Sequence, residues 1–462
     1  MQLLMQEINK AVEGTILAKN EETFTAASVD SRNIEEGNIF FALKGDATDG
    51  HYYIEEAIKK GAKAIVISDR SKLPIINDYS GIIMVKNTLE ALHRLAHYVR
   101  MHSPARIVCI TGSMGKTTTK EFTAALLSGS KNIFKSEGNM NSLTGFPLSL
   151  IHIMPEHEIA VLELAMNHKG EIECLTRIGK PDIGVLLNVS EVHLEFFYSI
   201  EEIAHEKLSL VNNLSEDALV VYNNDDKYLR TISRNPRYSY GLLQESDLKI
   251  NSIEKLEPFG FEGNFTEKDM NYHFHFPVRG KWNLYNLLAA VGIARKLEVE
   301  WDVILERIQR LQVPRMRGEV IVLGNNICLV DESYNSNPRA LEESLKDFSI
   351  MQCRGRKIAV LGDMLELGKN AEIFHRQAGE TISKLGFDCI FGIGNLIESM
   401  LETIKKEAGN KIELYLFKTS QECRDFIIEY VKSDDCLLCK GSRGMRIDII
   451  VNALKGNFKQ DK

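Results

Sequence analysis

The chain of 462 residues has no apolar run long enough to cross a bilayer. Its first residues, MQLLMQEINKAVEG, scatter charged and polar side chains through the segment. A basic stretch followed by an apolar one is missing, so no secretory leader is expected. A basic surplus is missing too: 56 Lys and Arg stand against 64 Asp and Glu, a net charge of −8. That balance argues against nucleic acid or a membrane surface as partner, because both need a basic face. A local basic pocket for a small anion stays open. Cysteine pairing is also lacking. The eight cysteines are scattered, several inside apolar runs where a thiol serves as a small hydrophobe. Cys436-Leu-Leu-Cys439 has no second pair to complete a zinc or redox site. A reducing cytoplasm fits this usage. No repeat, low-complexity tract or long block of charge is present.

What is there is an ordinary globular mixture, 44% hydrophobic and 26% charged. The length suggests roughly three domains. Short apolar runs at 39–43, 64–67, 107–110, 159–164, 183–189, 218–222, 327–330, 358–361, 389–392 and 436–439 alternate with helical patterns such as 53–60, 89–101 and 283–297. Such alternation predicts an α/β protein with mostly parallel sheets. The helical run ending at His102-Ser103-Pro104 marks one boundary, and Leu311-Gln312-Val313-Pro314-Arg315 marks another. The expected domains are therefore 1–102, 103–313 and 314–462.

The stretch TGSMGKTTTK, 111–120, resembles a phosphate loop that is two residues short. The common form is G-x-x-x-x-G-K-[ST], which would put its first glycine at Ile110 rather than Gly112. The context still suits an anion: a buried strand, a turn of small residues, then a helix start. That arrangement aims backbone N–H groups and a positive dipole end at one point. Lys116 would reach the β- and γ-phosphates and the Thr117 hydroxyl would ligate Mg²⁺. Glu163 lies in the apolar run IAVLELAM, where a carboxylate needs a metal or a cation. Asn188 and His193 follow another buried run and are candidate site residues, as is the cluster Asn224-Asp225-Asp226, for which a solvated turn is an equal alternative. The last region places Asp331, Asp363, Lys440, Ser442 and Arg443 after apolar runs. Ligands of open α/β sheets gather at such strand ends, here between domains.

Taken in order, these segments resemble the Mur ligase family, whose phosphate loop is the shortened G-x-x-G-K-[ST] of Gly112–Thr117. The resemblance runs from VDSRNIEEGNIFFALKGDATDGH to KGSRGMRIDIIVNAL. It implies three units: a UDP-sugar-binding N-terminal α/β domain, a central P-loop ATPase domain and a C-terminal Rossmann-like domain. It implies that Gly112, Ser113, Gly115, Lys116, Thr117 and Thr118 bind ATP, with Asn283 and Asn286 of GKWNLYNLLAA at the adenine, and Arg317 and Asp331 also on the nucleotide. Substrate contacts are implied for Ser31, Arg32, Lys44, Asp46, Asp49 and His51. They are also implied for Asn139 and Asn141 of EGNMNSLTGF, for Tyr334, Asn335 and Asn337 of DESYNSNP, and for Lys440, Ser442 and Arg443. Thr117, Glu163, His193 and Lys207 would hold two Mg²⁺ ions, Lys207 as a carbamate; an exposed helix lysine is the alternative there. Three departures stand out: Met114 in the loop, Ser142-Leu143-Thr144, and Trp282 before the adenine asparagine.

The implied reaction is ATP-dependent amide formation through an acyl phosphate, in peptidoglycan precursor synthesis. The implied substrates are UDP-N-acetylmuramoyl-tripeptide and D-alanyl-D-alanine, and the protein is expected to act as a monomer. Pro314 would lie in a hinge about which the third domain closes. The rival readings are another amide ligase of the same core, such as one adding the third residue, a plain P-loop ATPase or kinase, and a nucleotide-binding regulator.

Overall fold

The computed structural model describes residues 3–19, 23–45, 48–74, 81–192, 194–256 and 259–459. Asp46 and His193, both expected in the site, lie outside the described residues. Three large sheets divide the chain, each of buried apolar strands covered by helices.

The first sheet has the order Thr15–Ala18, Gly81–Met84, Ala64–Ile67, Asn38–Phe41, Ala26–Ser28. All its pairs are parallel except the first. The second sheet is nine-stranded. Its parallel core runs through Leu219–Asn223, Ile183–Leu186, Arg106–Thr111 and Ile159–Glu163. It ends in an antiparallel meander, Leu248–Lys255, Phe261–Glu267 and Met270–Phe276. The third sheet has six strands: Glu319–Val322, Cys328–Glu332, Cys436–Lys440, Lys357–Gly362, Cys389–Ile393 and Glu413–Phe417. Only its first pair is antiparallel.

The expected α/β class and its parallel strands are present. The meander was not anticipated. Met270–Phe276 reads MNYHFHF, with polar residues alternating against the buried Phe274 and Phe276. Phe261–Glu267 alternates in the same way. A solvated face dilutes the apolar run that marks a parallel strand.

The three units do not join alike. Helix Thr88–His102 buries Ala91, Leu92, Leu95, Ala96 and Val99. These side chains belong to one apolar cluster that also takes in Phe41 and Val66 of the first sheet and Leu162, Leu175 and Leu210 of the second unit. The same helix reaches across with polar groups. The His93 imidazole contacts Leu143 O at 2.6 Å, and Arg100 Nε donates to Gly179 O at 2.9 Å. The third sheet has its own apolar clusters. Between it and the second unit stand polar links. Arg279 Nε lies 2.5 Å from Asp347 Oδ2, and the Glu195 N–H donates to Glu366 O at 3.2 Å.

Leu95 is fully buried at the first of these junctions. Leu95→Ala is expected to lower stability by about 2–5 kcal/mol. Urea unfolding followed by fluorescence checks this, with the first and second units losing structure in one transition.

Candidate functional site

The strand Arg106–Thr111 ends at the phosphate loop, and helix Lys116–Leu127 begins immediately after it. Gly115 caps that helix with a left-handed backbone, φ 84°. The first helical bond runs from the Thr119 N–H to Gly115 O, 2.8 Å. The N–H groups of Lys116, Thr117 and Thr118 therefore have no acceptor within the helix and face an incoming anion.

The loop is held from two sides. Asn188 clamps Met114 through its backbone: Met114 N–H donates to Asn188 Oδ1 (3.0 Å) and Asn188 Nδ2 donates to Met114 O (3.1 Å). Ser113 adds a second pair, donating from Oγ to Ser190 O and accepting from the Ser190 N–H. The Met114 side chain takes no part in the clamp, which removes the first departure as a difficulty. On the other side lies Asn286 of helix Lys281–Lys296, which accepts from Thr119 Oγ1 at 3.3 Å. Asn286 Nδ2 donates to Asn283 Oδ1, and Asn283 Nδ2 to Arg279 O. A Cβ placed on Gly115 would lie 2.2 Å from Asn286 Oδ1.

Glu163, at the end of the strand Ile159–Glu163, is 1% exposed. Its Oε2 accepts from Thr117 Oγ1 (3.1 Å) and Asn141 Nδ2 (3.3 Å). Its Oε1 pairs with Lys120 Nζ at 3.2 Å. The sequence demanded a cation or a metal for this carboxylate. Lys120 is that cation, and no motif had singled it out. Lys116 is partly exposed and its Nζ donates to Gly112 O at 2.8 Å. Burial pushes its pKa down to about 8, against the pull of Glu163 and with the push of Arg317. Lys207, inside the helix Ile200–Asn212, is buried. Burial, and then the Lys116 charge, push its pKa well below the ordinary lysine value, while Glu206 opposes them. Glu206 is itself committed to the Gly170 and Ile172 N–H groups at the start of helix Glu171–Gly179.

A cavity of about 630 Å³ joins the phosphate loop to the third unit. Ser113, Gly115, Lys116, Thr117, Thr118, Asn141, Glu163 and Asn286 line one wall; Arg317, Tyr334, Asn335, Asn337 and Lys440 line the other. Trp282, the third departure, also faces it. Arg317 stacks over the Tyr334 ring at 3.9 Å, and Asn337 caps helix Pro338–Ser349, whose N-terminus borders the space. Glu332 was not anticipated; it lines the cavity and pairs with Lys440 at 3.1 Å. Strand alternation was the available signal, since Glu332 takes the face opposite to Asp331.

Asn283, Asp331, Asp363, Ser442 and Arg443 do not line this cavity. Asn283 supports Asn286 from behind. Asp331 is turned onto Ser333, accepting from its N–H and Oγ. Ser442 ties the Leu365 N–H to Ser336 O, and Arg443 lies outward beside Asp448. Asp363 caps helix Ile397–Ala408 through the N–H groups of Asn395, Leu396 and Ile397. Of the Asn224-Asp225-Asp226 cluster, Asp225 and Asp226 do line the cavity, while the Asp225 carboxylate also accepts from the Leu242, Leu243 and Gln244 N–H groups.

In the first unit the expected set splits. Ser31 donates to Glu56 Oε2 at 2.7 Å. His51 is buried with Nδ1 2.6 Å from Asp49 Oδ1, and its Nε2 accepts from the Ser68 and Asp69 N–H groups. Lys72 and His51 hold Asp49 as a carboxylate well below its usual range. Ser31, Asp49 and His51 are thus committed to internal contacts, whereas Arg32 and Lys44 are exposed, as is Asn139 of the second unit. A more open groove of about 730 Å³ between the first and second units gathers His93, His97 and Cys174 but none of the expected residues. Its charges pair among themselves, Arg94 with Glu13 and Glu90, and Arg177 with Glu173.

A short phosphate loop backed by a buried carboxylate, facing a second domain across a polar cavity, defines a nucleotide-using enzyme of three domains. The comparisons carry this further. Residues 23–100 match the family description "Mur ligase family, catalytic domain", 110–294 "Mur ligase middle domain" and 316–443 "Mur ligase, glutamate ligase domain". The UDP-N-acetylmuramoyl-tripeptide–D-alanyl-D-alanine ligase of Bacillus subtilis is 32% identical over 97% of this chain and 98% of its own. The enzyme of that name from Escherichia coli is 30% identical over 94% of each. Among solved structures, MurF from Acinetobacter baumannii has a TM-score of 0.87 at 26% identity, covering 99% of both chains. MurF ligase from Thermotoga maritima in complex with ADP has a TM-score of 0.80 at 28% identity, covering 94% of this chain and 97% of that one. The chain belongs to the Mur ligase family and is a ligase.

Gly115→Ala tests the loop. The added methyl must displace Asn286 or the loop, so affinity for ADP is expected to fall by about tenfold or more. Calorimetric titration checks this, with the unfolding midpoint within a few degrees of wild type.

Proposed function

We infer that the protein joins D-alanyl-D-alanine to UDP-N-acetylmuramoyl-tripeptide at the expense of ATP, in peptidoglycan precursor synthesis. The observation that carries this reading is the cavity shared by the short phosphate loop and the third unit, in a chain alignable end to end with ligases of that name.

The tripeptide carboxylate attacks the γ-phosphorus of ATP, giving an acyl phosphate and ADP. The amine of D-alanyl-D-alanine then attacks the acyl carbon, loses a proton and expels phosphate. The first step brings two anions together, so neutralisation is the main demand on the protein. Lys116 and the N–H groups at the start of its helix supply fixed positive charge there, and Arg317 adds a cation from the facing wall. Thr117 Oγ1 and Glu163 Oε2 are neighbouring hard oxygen donors. They suit Mg²⁺, which takes one or two protein oxygens beside water and phosphate and, when bound, offsets charge on the transferring group. A second ion would fall to His193 and a carbamate on Lys207. Carbamate formation needs an uncharged amine, and Lys207 has the burial and the depressed basicity for it.

Arg32, which pairs with Asp30, and Lys44 are two exposed cations of the first unit proposed to meet the UDP end, with Ser31, Asp49 and His51 shaping their surroundings. Asn139 would extend the same contact. Tyr334, Asn335, Asn337 and Lys440 are proposed to place the dipeptide. The functional units proposed are 1–102, 103–313 and 314–462, with closure of the third about the Pro314 segment excluding water from the acyl phosphate. The polar character of its junction, set against the shared core of the other two, supports that motion. The protein is proposed to act as a cytoplasmic monomer.

Phosphate release by the purified protein is the test of this reading. It is expected only when tripeptide substrate and ATP are both present, with full turnover on adding D-alanyl-D-alanine; release that ignores both acceptors would refute the ligase. Lys116 adds a pH signature. Its lowered pKa means the free site loses a proton as pH rises through about 8, so ADP affinity is expected to be highest below that pH and to fall above it. Lys116→Met should bind weakly and without that dependence. In Lys207→Ala, turnover is expected to drop at least about a hundredfold and to recover partly with small carboxylic acids.

A further inference from the structure

Helix Lys116–Leu127 carries two lysines on one face, a turn apart, Lys116 and Lys120. The first borders the cavity. The second is 1% exposed, which is unusual for lysine and demands that every charge near it be matched. Its Nζ donates to Ser136 O at 2.6 Å and pairs with Glu163 Oε1 at 3.2 Å and Glu121 Oε1 at 3.4 Å. Ser136 opens the loop that leads to Asn141, which returns to the same carboxylate on its other oxygen. Glu163 is thus divided. Among the described residues Oε1 has the Lys120 ammonium as its ion-pair partner, while Oε2 meets Thr117 and Asn141 at the cavity.

We propose that Lys120 is a positioning residue that sets the cation preference of the site by occupying Oε1 and leaving Glu163 a single oxygen to offer. This rests on the reading of Thr117 and Glu163 as holding a divalent ion beside the nucleotide. A carboxylate restricted to one oxygen suits Mg²⁺, which takes near-octahedral, monodentate ligands at short range. Ca²⁺ accepts bidentate carboxylates, longer bonds and more ligands, and it gains when both oxygens are free. The same ion pair keeps a buried carboxylate matched when no metal is bound, so an ion that arrives and departs with the nucleotide leaves no lone charge behind. A purely structural lysine would stabilise the fold equally whichever ion is present.

The experiment measures ADP binding to the whole chain in Mg²⁺ or in Ca²⁺, by calorimetry and by the shift in unfolding midpoint. Wild type, K120M and K120Q are compared. Wild type is expected to favour the Mg²⁺ complex, and in K120M the Ca²⁺-to-Mg²⁺ affinity ratio is expected to rise about tenfold. K120Q, still able to donate to Ser136 O but carrying no charge, is expected to shift the same way. An unchanged ratio in either folded variant overturns the proposal. The crystal structure of wild type with ADP and Mn²⁺ decides it without any variant: one Oε2–metal contact with Oε1 still on Lys120 supports it, and bidentate Glu163 overturns it. ADP binding that ignores divalent ions altogether would instead overturn the reading of the site itself.

Discussion

The close approach of the phosphate loop to helix Lys281–Lys296 is the constraint on which the site depends. Gly115 sits so near Asn286 that no side chain fits between them. That contact fixes where the helix Lys116–Leu127 begins, and hence where its free N–H groups point. The Asn188 side-chain amide holds the loop from the opposite side through the Met114 backbone. A loop two residues shorter than the common form has little slack, and these clamps supply the rigidity that preorganised charge requires.

From this fixed point the molecule divides by the chemistry of its junctions. The first and second units share an apolar cluster through helix Thr88–His102, so parting them would expose core. The third unit meets the second through Arg279–Asp347, Glu195–Glu366 and a polar cavity wall. A junction of polar contacts rather than shared apolar core is the kind between domains that move relative to one another, in keeping with the closure proposed for the third unit. Arg279 links the two themes. Its carbonyl accepts from Asn283, which supports Asn286, while its guanidinium reaches the third unit.

Much of this was legible in the sequence because parallel strands leave unmistakable apolar runs. The loop, Glu163 and the polar run after Asp331 could be read from position at strand and helix ends, whereas Lys207, inside the helix Ile200–Asn212, was indicated by the family resemblance alone. The antiparallel meander could not, because its strands are half solvated. Side-chain commitment was equally hidden. Asp331 and Glu332 are neighbours in the chain, and only the register of the strand decides which faces the cavity. Ser31, Asp49 and His51 look like ligand-binding polarity until their partners Glu56, Lys72 and the Ser68 N–H are known. Lys120 was invisible for the same reason: a lysine in a helix is ordinarily a solvated one.

The central claim is that ATP is used to activate a substrate carboxylate. The most direct measurement labels the terminal carboxylate of UDP-N-acetylmuramoyl-tripeptide with heavy oxygen and follows the label by mass spectrometry during turnover with D-alanyl-D-alanine. An acyl phosphate requires one labelled oxygen to pass from the carboxylate to each phosphate released, and that transfer is the predicted result. Phosphate that carries no label while amide accumulates would contradict the account.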